Sequence, residues 1–261
     1  MRDVDSKAAV LLVVVAAGVL AAGLTGCGSA TPTAPPAVLI AEPDDGGADT
    51  VASLAIYPAG PIVFRGVRFD EREPGTAGVA IELRRSADDD RGEFTDTLVV
   101  LDHVAADVVD AEDGRLVRTN RFRRDVGGAV VLLATTNHER TSTAMYEPSL
   151  VGAGPTGVDG DGVATTSDVS IDGASAGEAE MRVVYVGDEM VEVGGELVRA
   201  ARLETTFVFR PRPAVRVERS FVRWIGAVDA GPARTVRERT HEVIRAGPIT
   251  VSERRFVDVW E

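Results

Sequence analysis

Few residues in this chain combine types and spacings that could do chemistry. Gly173-Ala174-Ser175-Ala176-Gly177 matches the G-x-S-x-G spacing that presents a nucleophilic serine. That chemistry needs a strand before the serine and a helix after it, so that the hydroxyl stands exposed on a strained turn. Asp188 or Asp229, and then His241, follow Ser175 in an order that would supply an orienting carboxylate and a base. Here a polar, glycine-containing loop is expected before Ser175 and a strand after it, and in so acidic a chain the order Ser, Asp, His is nearly free. The three histidines, His103, His138 and His241, are never two or four residues apart, so none shares a strand or helix face with another as metal ligands do. Asp159-Gly160-Asp161-Gly162, with Asp168 and Asp172, offers the oxygen ligands that calcium takes. Val163 and Ala164 stand where a helix–loop–helix site needs its third acid and its glycine, and Asp-Gly pairs are ordinary turn chemistry. No glycine-rich phosphate loop follows a strand. The residues therefore predict no enzyme, no cofactor and no metal, with a serine hydrolase around Ser175 as the minor alternative.

Cys27 is the chain's only cysteine. It follows the uninterrupted apolar stretch Ala8 to Gly23, with Arg2 and Lys7 ahead of that stretch. At 16 residues the stretch is short of the roughly 20 that span a membrane, and it has the parts of an export signal. Leu24-Thr25-Gly26-Cys27 resembles the lipobox of bacterial lipoproteins. The resemblance implies cleavage before Cys27, a diacylglyceryl group on its thiol, and acylation of the new amine by chains such as palmitate. It places the protein at the cell membrane, lipid-anchored through Cys27 on the extracytoplasmic face. Lipidation would also consume a lone thiol that is a hazard in an oxidising compartment.

The elements that must carry any site follow from the rest of the chain. Removing residues 1–26 leaves 235, enough for one large domain or two small ones with a real core. Residues 28–50 are rich in Pro, Gly, Ala, Ser and Thr and carry no periodicity, so 27–50 reads as a flexible tether and 51–261 as the folded part. The net charge of −13 disfavours nucleic acid as a partner. Positive charge is concentrated late: residues 199–261 hold 13 arginines against 8 acids. The simplest account is arginines alternating outward on exposed strands. The near-absence of lysine, which occurs only at Lys7, reads as the codon bias of a GC-rich genome.

From Val51 onward the pattern is mostly β. Strands are expected over Val51 to Tyr57, Ile62 to Phe69 and around Val79 to Ile81, with turns at Glu73-Pro74-Gly75 and Asp88 to Gly92. Leu98 to Val109 has some helical spacing, but its β-branched residues and the turn at Asp110 to Gly114 favour a hairpin with Arg115 to Arg123. Residues 152–178 read as a long loop or an internal boundary. Met181 to Val186 precedes an expected tight turn at Gly187-Asp188-Glu189, and further strands follow at Met190 to Val193, Leu197 to Phe209, Val215 to Trp224, Thr235 to Arg245 and Ile249 to Trp260. Short connections imply an antiparallel meander, and alternation implies one wet and one dry face. The segment from Gly187 to Thr206, with Arg223-Trp224, resembles a pattern in exported bacterial β proteins of unknown function.

The expected fold class is mainly β: an antiparallel meander forming a curved sheet or open barrel, with room for one or two short helices. The expected function is a non-catalytic, lipid-anchored envelope protein that binds an apolar ligand, a lipid or an envelope protein. In outline it is similar to mycobacterial lipoproteins that shuttle acyl lipids, although none of their motifs is matched. A scaffold with a filled core is the alternative, and a pocket of several hundred cubic ångströms would favour the carrier.

Overall fold

The computed structural model describes residues 60–73, 75–101, 114–124, 130–153, 162–212, 214–226 and 234–260. They form twelve strands: β1 (Ile62–Asp70), β2 (Val79–Arg85), β3 (Glu93–Val100), β4 (Arg115–Arg124), β5 (Val130–Asn137), β6 (Ser142–Ala153), β7 (Val163–Ile171), β8 (Ala174–Val193), β9 (Glu196–Arg212), β10 (Val215–Gly226), β11 (Arg234–Ala246) and β12 (Ile249–Trp260). Each strand pairs antiparallel with the next, and β1 pairs antiparallel with β12, so the meander closes into a barrel. Closure satisfies the backbone groups that an open sheet leaves at its edges. No helix occurs among the described residues.

Residues directly opposite each other on paired strands share a face. Gly66 lies opposite both Ile81 and Trp260, Leu98 opposite both Leu83 and Arg118, and Phe221 opposite both Thr205 and Thr240. Followed round the barrel, these pairs define the inward face. The two larger apolar clusters line it. One contains Phe94, Phe122, Tyr146, Met181, Phe207 and Phe221; the other contains Phe64, Ile81, Leu98, Val117 and Trp260.

Three expectations need correction. The turn foreseen at Gly187 is a bulge inside one strand: β8 runs 20 residues, and its pairing with β9 slips between Tyr185 and Gly187. Gly187 takes φ +148°, a conformation that L side chains rarely adopt, and the strand continues through it. The long loop foreseen over 152–178 contains β7, and a two-residue turn at Asp172-Gly173 (φ +50° and +82°) connects it to β8. The inward face is not uniformly dry either, because it carries paired charges as well as apolar side chains. Expectations for the signal segment, the tether, Val51 to Tyr57 and the far end of the β3–β4 hairpin fall outside the described residues.

Candidate functional site in the barrel lumen

Period-two alternation places a band of charge inside the barrel. Arg68 on β1 faces Asp258 on β12, and its guanidinium grips that carboxylate with two bonds, Nε to Oδ1 at 2.7 Å and Nη2 to Oδ2 at 2.8 Å. Arg85 holds Asp96 in the same forked manner at 2.7 and 2.6 Å. On β10, Arg219 and Arg223 flank Phe221 on the inward face and donate to Glu242 and Glu238 of β11. Forked arginine–carboxylate pairs are strong and directional, and lysine cannot make them.

Arg118 is different. It projects inward from β4 opposite Leu98, and it forms no ion pair and no side-chain hydrogen bond among the described residues. Desolvation, and next the nearby Arg219, pull its pKa down to about 10, so it stays charged at neutral pH. Around it stand Arg68, Arg219 and Arg223 with three carboxylates, Asp258, Glu238 and Glu242. Among the described residues of this group, four cations stand against three anions, and one positive charge is left without a partner.

That charge borders a cavity of about 60 Å³. Arg118, Asn120 and Tyr146 from one wall meet Thr205, Arg219 and Arg223 from the opposite wall. Phe122, Leu132, Met181 and Phe207 give the space an apolar side. Burial pushes the Tyr146 phenol up, so its hydroxyl stays protonated, and it donates to Thr135 Oγ1 at 3.4 Å. Thr135 in turn donates to Asn120 at 3.1 Å. Chemically, the arrangement can hold a small anion that also has an apolar part.

The structure does not assemble the residues singled out for catalysis. Ser175 lies exposed at the start of β8, just past the β7–β8 turn, and strand rather than helix follows it. His241 stands on the outward face of β11, with β9 and β10 between it and β8, and its Nε2 pairs with Glu253 Oε1 at 3.0 Å. Asp188 accepts from Tyr185 Oη at 2.9 Å and pairs with Arg199. His138 bonds the Thr119 hydroxyl at 2.8 Å. Asp172, in the β7–β8 turn, accepts the Thr143 amide of β6 at 2.9 Å, and Asp168 is exposed on β7. No group of three or more His, Cys, Asp or Glu that could hold a metal occurs among the described residues. Cys27, His103, Asp159, Asp161 and Asp229 fall outside them.

The lumenal arginines were missed. The late arginines were expected to face outward, and Arg216, Arg239 and Arg255 do. Arg219 and Arg223 face inward. The signal was present, because both are in phase with Val217 and Phe221 at period two.

No family model matches the chain, and no curated protein matches it. One similar solved structure is that of the hypothetical lipoprotein YmcC from Escherichia coli K12. It is 12% identical, with a TM-score of 0.37, and the match covers 78% of this chain and 89% of that one. So distant a likeness carries no conclusion about what the present chain does.

Proposed function

We propose that this protein is a non-catalytic binding module of the bacterial cell envelope, lipid-anchored through Cys27 on the extracytoplasmic face. The observation that carries the anchor is Leu24-Thr25-Gly26-Cys27 at the end of a 16-residue apolar stretch, followed by a tether-like segment. The observation that carries the binding role is a closed barrel whose lumen keeps a part-polar cavity beside an unpaired guanidinium. The outward face supports a barrel that stands in water. Arg65, Arg121, Arg210, Arg216, Arg239 and Arg255 project there with side chains 41–57% exposed, where a lipid-facing barrel would carry an apolar band. The non-catalytic reading is supported by the separation of Ser175 from His241 and by the engagement of His241 with Glu253.

Cavity size bears on the ligand. Drug-sized and lipid ligands occupy roughly 300–1,000 Å³. At about 60 Å³ the lumen takes something of only a few heavy atoms. The same observation favours the second reading, a scaffold with a filled lumen whose partner docks outside. Two measurements test these readings. Cys27→Ala should abolish acylation and release the protein from the membrane fraction; a variant that fractionates like the parent removes the anchor. Native mass spectrometry of the full chain in detergent should show a small adduct on the folded protein if the lumen binds, and none if the barrel is a scaffold.

A further inference from the structure

We propose that the lumenal cavity binds a small monocarboxylate, its carboxylate on the fork of Arg118 and its short alkyl part against Phe122, Leu132 and Phe207. This deepens the binding-module reading by naming its ligand class, and it does not depend on the anchor at Cys27. The argument starts from charge. A guanidinium deep in a barrel is costly to leave without a counter-ion. Among the described residues, Arg68, Arg219 and Arg223 each have their own carboxylate, and Arg118 has none. The deficit is a single negative charge, which a monoanion satisfies and a phosphate dianion overshoots. Geometry selects among monoanions, because the planar guanidinium presents two parallel donors that match a carboxylate edge.

The walls supply the rest. Tyr146 and Thr205 offer hydroxyls beside Arg118, and the remaining wall is aromatic and aliphatic. A chloride ion would leave that apolar side unused. About 60 Å³ is room for a few waters, or for a molecule the size of acetate or butyrate. The ligand could be a free short-chain acid or the carboxylate head of a longer acyl chain that leaves through an open side of the cavity. The chemistry at Arg118 is the same in either case.

The test uses the full chain, purified in detergent and dialysed free of carboxylates, titrated with sodium acetate, butyrate, octanoate, phosphate and chloride. Heat of binding and thermal unfolding are followed together. Acetate and butyrate should bind saturably and raise the melting temperature, and Arg118→Gln should weaken that binding at least tenfold. The ligand-free variant should melt no lower than the parent, since a charge without a partner has been removed. If Arg118→Gln does not fold, Thr205→Val provides the readout, with binding weakened severalfold in a barrel of unchanged circular dichroism. Affinity that falls from butyrate to octanoate identifies a free short acid, and affinity that rises identifies an acyl head; either supports the site. The proposal is overturned if no carboxylate saturates, if chloride or phosphate gives an equal response, or if Arg118→Gln binds as the parent does. A co-purified lumenal ligand that is not a carboxylate would overturn this proposal alone. A lumen that binds nothing would remove the binding-module reading as well.

Discussion

Glu238 shows how one side chain holds the lumenal charge in balance. Burial pushes its carboxyl up, but Arg223, with help from Arg118 and Arg68, more than offsets that, and the net position is below the ordinary glutamate range. The sign for stability follows. The unfolded chain takes up this proton at a higher pH than the folded one, so stability present at neutral pH is lost as pH falls through and below the usual glutamate value. Asp258 works in the opposite sense: burial raises it despite Arg68, and its penalty is relieved as pH falls. The contribution of Glu238 should therefore be lost as pH falls from about 5 to about 3, and Glu238→Gln, already weaker at pH 7, should lose less stability than the parent over that range in denaturant unfolding. An unchanged slope would mean that Glu238 does not carry this dependence. At this scale the sequence was legible only in part. The strand expected after Ser175 is β8. Arg118 could not be singled out, because its lack of a partner is a property of where six other side chains end up, and no spacing along β4 records that.

The strands were the most legible features, since period-two alternation and Gly or Pro punctuation are local signals. The succession from β9 to β12 follows from them directly, whereas the strand expected from Leu98 onward begins at Glu93 and pairs with β4 over Glu93–Val100. What failed was telling a bulge from a turn. Gly187 and Gly194-Gly195 look alike in sequence, but only the second pair ends β8; the first sits where pairing with Arg202 persists on the far side. The difference depends on the partner strand, which is distant information. Gly177 makes the same point energetically. It has φ +134°, and a Cβ there would sit 2.1 Å from the Arg210 carbonyl oxygen of β9. Backbone cannot give way as a side-chain end can, so Gly177→Ala should destabilise by more than about 1 kcal/mol. Equilibrium unfolding in urea measures it, and a neutral result would mean that β8 and β9 can separate there at little cost.

Across the whole molecule, the sequence left a curved sheet and an open barrel as equal outcomes, and only the pairing of β1 with β12 decides for closure. Five register pairs run along that seam, from Gly66 opposite Trp260 to Asp70 opposite Phe256, and Arg68 with Asp258 locks it from inside. Removing Arg68 leaves Asp258, which is 2% exposed, as a buried charge without its fork. Arg68→Met should cost about 3–5 kcal/mol, and amide exchange should rise first in β1 and β12 if the seam is where the barrel opens. Uniform loss of protection would instead mean that closure and core fail together. Because β1 and β12 run antiparallel side by side, the barrel's first strand starts at the same rim where its last one finishes. A short peptide could bridge those neighbours, and new ends could be cut at the exposed Gly194-Gly195 hairpin tip. The ring of strands has no topological beginning, and a circularly permuted chain could trace it from a different starting point.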